Sequence, residues 1–226
     1  MAESVFTSIP YLPIDFKVEI SVYVSYNIPT IKAKTKPMGA IMTIYLVRHG
    51  KDDDTFRGGW SNHGLLPIGV KQVYVLAKEI AIANIYVDRI YSSDLQRAVE
   101  TAGILSNCLG CPIEYIPKLR EVDNGVLAGM ENNLADERYP GLYWSTLDYD
   151  ECYPNGESPE MFYNRIKTAW LELKNRSLKQ TTKDALLVTH GGVIEAILCI
   201  ENNVRFSNKT RHFSAPNAKL IPVEIP

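Results

Sequence analysis

The sequence predicts an α/β fold, a three-layer α/β/α sandwich with a mainly parallel central sheet. Three observations point there. Short apolar runs rich in β-branched residues recur along the chain: MTIYLV (42–47), VDRIYSS (87–93), PIEYI (112–116) and ALLVT (185–189), each suited in length and composition to a strand. Longer segments with apolar residues at helical spacing lie between them. Strands and helices therefore alternate, the order that lays parallel strands side by side and covers both faces with helices.

Residues 1–41 have a different texture, with Pro10, Pro13, Pro29 and Pro37 spread through them. ISVYVSY (20–26) alternates weakly like a strand, and KAKTK (32–36) reads as a basic linker. We expect residues 1–41 to be an N-terminal extension of unassigned role and residues 42–226 to be the domain, with Met38 and Met42 as candidate native starts. Within the domain, Pro67 fits the first turn of a helix, where its missing N–H costs nothing. Val70, Val73, Leu76, Ala77 and Ile80 make that helix's apolar face. Ser93 with Gln96 three residues on suggests a capping box for a helix striped by Leu95, Ala98, Val99, Ala102 and Leu105. Ser158-Pro159 supplies an N-cap and an N1 proline for a helix burying Phe162, Ile166, Ala169, Trp170 and Leu173. VIEAILCI (193–200) continues as a helix after the fourth strand. KLIPVEI (219–225) closes the chain as a strand, and Pro222 sends it to an edge or a bulge.

Composition narrows the function. The chain has 226 residues, 46% of them hydrophobic, and a formal net charge of −2, which suits one soluble domain and argues against a broad nucleic-acid-binding face. It leaves room for a small local anion pocket. No apolar run approaches the roughly 18 residues of a membrane span, and no basic segment leads into a continuous apolar one as in a secretory signal; we expect a cytoplasmic protein with no membrane partner. Cys108 and Cys111 form a lone CLGC, with Cys152 and Cys199 apart. There is no second CxxC for a zinc ribbon and no HExxH, so we expect free thiols, no metal and no cofactor.

The chemistry sits at strand ends. IYLVRHGK (44–51) runs a core strand straight into Arg48 and His49. Taken alone, that is equally an ordinary exit to solvent. In open α/β sheets, however, ligands bind beyond the carboxyl ends of the strands, and two more predicted strand ends carry polar groups. One delivers Ser92 and Ser93, then Arg97 in the first helical turn; the other delivers His190, Gly191 and Gly192. Side chains on a helix lean toward its N-terminus, so Arg97 can reach the same crevice. The N–H groups after Gly191 would point there at the positive end of a helix. Arginine forks suit phosphate oxygens, and a cationic pocket keeps imidazoles neutral, hence nucleophilic. Arg48 is then expected to hold a phosphoryl group that His49 attacks.

LVRHG (46–50), SSDLQRAVETA (92–102), LREVDNG (119–125) and VTHGG (188–192) together resemble the histidine phosphatase superfamily, the phosphoglycerate-mutase-like proteins, in order and in spacing. RHG alone is a weak signal; all four segments in this order are a specific one, and the resemblance covers residues 42–226. It implies that His49 becomes a phosphohistidine while Arg48, Arg97 and His190, with Gly191, hold the phosphoryl oxygens. It implies that Glu121 is the acid–base carboxylate, with Asp123 as the competing candidate two residues on. Lys51 stands where the family often has Glu or Gln, and the loop DDDTFRGGW (52–60) looks shorter than in longer family versions, which often carry a phosphate-contacting asparagine there. Arg57 is the candidate replacement for that contact. Ser92 either lines the pocket or is a satisfied buried hydroxyl. Asp52, Asp53 and Asp54 read as an outward-facing solvated loop, or as a filter against polyanions. His63 and His212 lack a matching context and read as surface residues.

The aromatic segment YPGLYWSTLDYDECY (139–153) reads either as a packed insertion with its own small core or as a lid presenting Tyr143, Trp144 or Tyr149 to a leaving group. Three functions fit the pattern. The favoured one is a metal-independent phosphomonoester hydrolase acting on a small organic phosphate. A phosphoglycerate mutase is the alternative, disfavoured because only Arg138 lies between Met130 and Pro154 to hold a second anionic group. A non-catalytic phospho-ligand binder is the third, disfavoured because His49 and Glu121 are both present.

Overall fold

The computed structural model describes residues 42–180 and 183–225; the strand-like and basic segments expected in the N-terminal extension lie outside them. The first strand, β1 (Met42–Arg48), buries Met42, Ile44, Leu46 and Val47. Helix α1 (Pro67–Ile82), strand β2 (Val87–Ser92), helix α2 (Gln96–Leu109) and strand β3 (Ile113–Tyr115) follow. After the short helix α3 (Asn132–Arg138) come the long helix α4 (Pro159–Gln180), strand β4 (Asp184–Thr189), helix α5 (Gly191–Glu201) and strand β5 (Leu220–Ile225). The sheet order is β3-β2-β4-β1-β5. The pairs β2–β3, β2–β4 and β1–β4 are parallel and β5 is antiparallel to β1, so the expected mainly parallel sheet is observed.

Every residue of β4 is buried, as a central parallel strand requires. One face of the sheet, with Ile44, Leu46 and Leu187, packs on Phe162, Ile166 and Trp170 of α4 and Val193, Ile194 and Ile197 of α5. The other, with Val47, Ile90, Leu186 and Val188, packs on α1 and α2 through Val73, Leu76, Ile80, Ala98, Ala102 and Leu105. Full burial of each such side chain contributes about 1.5–3 kcal/mol before ordering costs. Trp170 is fully buried, and its polar tip is satisfied: Nε1 donates to the Glu201 carboxylate at 2.7 Å.

Local signals held in most places. Met161 N–H donates to Ser158 Oγ at 3.2 Å, the N-cap expected at the start of α4. Pro222 lies on the edge strand β5, where a missing donor is tolerated. The capping box at Ser93 is not formed: α2 starts at Gln96 after Leu95, and Gln96 bonds to Glu100 instead. The segment after residue 122 has its own core of Leu127, Ala135, Leu147 and Tyr153. Trp144 packs inward, edge-on to Phe162 at 5.5 Å and stacked on Tyr153 at 6.3 Å. It belongs to a packed insertion, while Tyr143 and Tyr149 remain exposed. All four cysteines are free. Among the described residues no helix is long and apolar enough to cross a membrane.

Candidate active site

Strand register gathers the site. Arg48 pairs with Thr189 across β1 and β4, and Ser92 pairs with Val188 across β2 and β4. The next residues of three parallel strands, His49, His190 and Ser93, therefore leave the sheet at one end, side by side. The loop before β5 returns to the same end: Arg48 bridges to Asn217, and Asn217 Nδ2 donates to the carbonyl of His49 at 2.8 Å. Gly50 is required by a close approach, since a Cβ there would lie 2.6 Å from the carbonyl oxygen of Gly69.

His49 is buried, and its ring lies 5.2 Å from that of His190. Nδ1 is 2.7 Å from the carbonyl of Gly50. A carbonyl only accepts, so Nδ1 carries the proton. Nε2 is left with its lone pair, facing Nε of Arg97 at 3.3 Å. Arg97 is buried too; its Nη1 donates to the Ser61 carbonyl and hydroxyl, and its Nη2 to Gly59 O at 2.8 Å. Arg48 donates from Nη1 to Ala215 O at 3.2 Å, while its Nε is buried with no partner among the described residues. His190 is fully buried, with Nε2 2.8 Å from Ser93 Oγ and Nδ1 likewise without a partner.

Burial holds the pKa of His49 well below the usual imidazole range, and the Arg97 and Arg48 charges add to it against the Gly50 hydrogen bond. Burial first, then Arg97, does the same for His190. Both rings are neutral at pH 7, which has a consequence for stability. Below about pH 6.5 the unfolded chain takes up protons that these two folded sites refuse, so stability is full above that pH and falls as pH drops. The expected slope is about 1.4 kcal/mol per pH unit for each histidine. Urea midpoints measured from pH 7.5 to 5 should fall accordingly, and a His49→Gln, His190→Gln double variant should flatten the profile. An equally steep fall in the double variant would refute this assignment.

Glu121 reaches the N-terminus of α5, where its Oε2 accepts from Gly192 N at 3.0 Å and its Oε1 from Val122 N at 3.1 Å. Gly192 is a glycine for this contact: a Cβ there would fall 2.4 Å from Glu121 Oε1. Asp123, the competing carboxylate, is a turn residue whose Oδ1 accepts from Gly125 N. Ser92 is a satisfied hydroxyl, donating to Ser93 O and Ala98 O. Arg57 is engaged by the insertion, ion-paired with Asp136 and stacked 4.6 Å over Tyr143. Its expected role as a phosphate contact gains no geometric support.

Sequence reasoning missed several neighbours. Asp52 turns inward, with Oδ2 3.5 Å from Arg97 Nε and Oδ1 3.9 Å from His49 Nδ1, whereas Asp53 and Asp54 face outward, bonded to Thr55 and Lys51. The loop bearing Glu121 is braced by Arg165 of α4, which donates to the carbonyls of Lys118, Arg120 and Glu121 and pairs with Glu157. Glu157 also accepts from Asp123 N at 2.8 Å. Trp60 Nε1 adds a bond to Glu121 O at 2.7 Å. Of these, Asp52 alone had a visible signal, as the first acid after the histidine strand end.

The fold is thus an α/β sandwich that gathers Arg48, His49, Arg97 and His190 at the carboxyl ends of parallel strands. The sequence profile described as "Histidine phosphatase superfamily (branch 1)" matches residues 44–226. The chain belongs to that family and is an enzyme of the histidine phosphatase type. It is 30% identical over 170 residues to a Hydrogenobacter thermophilus protein named "Putative phosphoserine phosphatase 2", covering 73% of this chain and 81% of that one. It is also 30% identical over 160 residues to 6-phosphofructo-2-kinase/fructose-2,6-bisphosphatase 1 of Mus musculus, covering 69% of this chain and 32% of that larger protein. Among solved structures, mycobacterial glucosyl-3-phosphoglycerate phosphatase complexed with VO3 superposes with a TM-score of 0.67 at 25% identity, over 80% of this chain and 90% of that one. The α-ribazole phosphatase of Shigella flexneri has the same fold, with a TM-score of 0.63 at 24% identity over 73% and 81% of the two chains.

Proposed function

We propose that the protein hydrolyses phosphomonoesters of small organic alcohols through a phosphohistidine at His49, without a metal ion. One observation carries the reading most directly. His49 holds its Nε2 lone pair toward the buried Arg97, whose Nε–H donates to it at 3.3 Å, and is fixed in that tautomer by Gly50 O. Two further buried nitrogens, Arg48 Nε and His190 Nδ1, have no partner among the described residues, and buried polar atoms of this kind call for one. Phosphoryl oxygens are the fitting acceptors. Ser93 Oγ accepts from Leu95 N and can donate its own hydrogen to His190 Nε2, which puts the ring proton on Nδ1, ready to donate.

The reaction divides into two transfers. His49 Nε2 attacks phosphorus in line; the bond from phosphorus to the ester oxygen breaks, and Glu121 in its acid form protonates the departing alcohol. Arg48, Arg97, His190 and the Gly191 N–H at the start of α5 hold the phosphoryl oxygens while charge spreads over them. Glu121, now a carboxylate, takes a proton from water; that water attacks phosphorus, the P–N bond breaks, and phosphate leaves His49 neutral again. The names of the relatives, "Putative phosphoserine phosphatase 2" and a glucosyl-3-phosphoglycerate phosphatase, support a hydrolase rather than a mutase. Arg138, the one arginine considered for a second anion in the insertion, ends α3 exposed.

The test is hydrolysis of p-nitrophenyl phosphate in excess EDTA, with a rapid alkaline quench to trap phosphorylated protein. We expect EDTA-resistant turnover and a phosphate mass added to the peptide that contains His49. Turnover that EDTA abolishes, or a phosphate trapped elsewhere, would overturn the proposal.

A further inference from the structure

We infer that Arg211 is a specificity-determining residue that holds a carboxylate carried by the alcohol part of the substrate. The inference rests on the phosphoryl pocket assigned above and names the substrate class it serves: phosphomonoesters with an acid group close to the ester.

Three observations carry it. First, Arg211 stands at the pocket. A Cβ built on Gly191, the first residue of α5, would lie 3.6 Å from Arg48 Cζ and 3.7 Å from Arg211 Nη2. The two guanidinium groups thus approach the same residue, that of Arg48 partly buried and that of Arg211 exposed. Second, Arg211 is uncommitted: no carboxylate among the described residues pairs with it. Lys209 of the same loop is tied to Asp148 at 3.0 Å. Like charges brought together without an anion repel, so mutual attraction does not account for the placement.

Third, the loop is held there by a buried acid. Glu195 of α5 is only 4% exposed, and its two carboxylate oxygens accept the backbone N–H groups of His212 at 2.8 Å and Phe213 at 3.1 Å. Two residues further on, Ala215 O accepts from Arg48 itself. A buried carboxylate is costly unless its hydrogen bonds are strong. Here they fix the backbone next to Arg211 to the same helix whose N-terminus forms the phosphoryl pocket. The distance from phosphoryl seat to Arg211 is set by one rigid element, as selection among small substrates requires. A single free guanidinium matches one bidentate carboxylate in charge and shape; a second phosphate, with about twice the charge, would want the Lys209 cation that Asp148 occupies.

The matched probes are 3-phosphoglycerate and glycerol 3-phosphate, which differ by a carboxylate in place of a hydroxymethyl group. Each is titrated calorimetrically into the His49→Ala protein, so that binding is read without turnover, and again with Arg211→Ala or Arg211→Lys added. We expect 3-phosphoglycerate to bind about tenfold more tightly, as one charge-assisted fork allows. Arg211→Ala should bring the two affinities together, and Arg211→Lys should keep part of the preference. Absence of a preference, or a preference that Arg211→Ala leaves intact, overturns the inference. The hydrolase reading is judged separately by the aryl phosphate assay: its failure alongside an Arg211-dependent preference would remove the reaction and keep the binding assignment.

Discussion

Replacing His49 by alanine should lower kcat by about 10⁴- to 10⁶-fold, the scale on which removal of a covalent nucleophile is felt. The remaining groups could still bind a phosphomonoester, but among the described residues His49 Nε2 is the nitrogen lone pair recorded facing Arg97 Nε. Free imidazole, small enough for the space the ring vacates, should restore part of the turnover, because the chemistry needs a neutral ring nitrogen rather than the chain attached to it. The loss should not reflect unfolding. His49 contributes one side-chain hydrogen bond within its own strand end and a long contact to Arg97, and its lowered pKa weighs on the fold only as pH falls below about 6.5. We expect the thermal midpoint to move by a few degrees at most. Residual activity above about one part in a hundred of the wild type, unaffected by imidazole, would exclude His49 as nucleophile.

The second large effect belongs to Glu121→Gln, and its signature is kinetic. With alkyl phosphates both half-reactions need the carboxyl group, and kcat should fall by about 10²- to 10⁴-fold. With p-nitrophenyl phosphate the leaving phenolate needs little help, so phosphorylation of His49 persists while attack by water stalls. We expect a burst of one equivalent of p-nitrophenolate followed by a slow steady state, with phosphoprotein accumulating to near stoichiometry. Glutamine keeps a carbonyl oxygen to accept from Gly192 N–H or Val122 N–H, so the loop should keep its place. The control is Asp123→Asn, which retains the Oδ1 acceptor for Gly125 N and should change turnover by no more than about threefold. A burst in Asp123→Asn and none in Glu121→Gln would reverse the assignment.

Much of this was legible in the sequence because it is local. Strand runs and helix faces are periodic, and the groups that leave strand ends are written next to the strands themselves. Bringing Arg48, His49 and His190 together needed only the rule that parallel strands end on one side, and Arg97 the lean of helix side chains toward the N-terminus. Ser93 shows where local reasoning gives way. Its backbone N–H is still in the sheet ladder to Val188, and its hydroxyl serves Leu95 N and His190. The tertiary role leaves no capping box, and α2 starts late. The partner of Arg57 was hidden for a similar reason: Asp136 lies 79 positions away, in an insertion whose packing the sequence pattern did not resolve. Arg165, Glu157 and Glu195 act through contacts with backbone atoms of distant loops, and no spacing announces those. Asp52 was visible, but the direction in which a short loop turns its first side chain was not.

The sheet order also bears on how the protein comes into being on the ribosome. β4 is inserted between β1 and β2, yet more than 90 residues separate β2 from β4. Until β4 emerges, β1 and β2 have no shared neighbour and expose strand edges that invite pairing with other chains. β4 also leads directly into His190, so insertion of the central strand and placement of that histidine coincide. The nascent chain therefore passes through a long interval with unpaired strand edges, and Arg48, His49, Arg97 and His190 come together only as that interval ends.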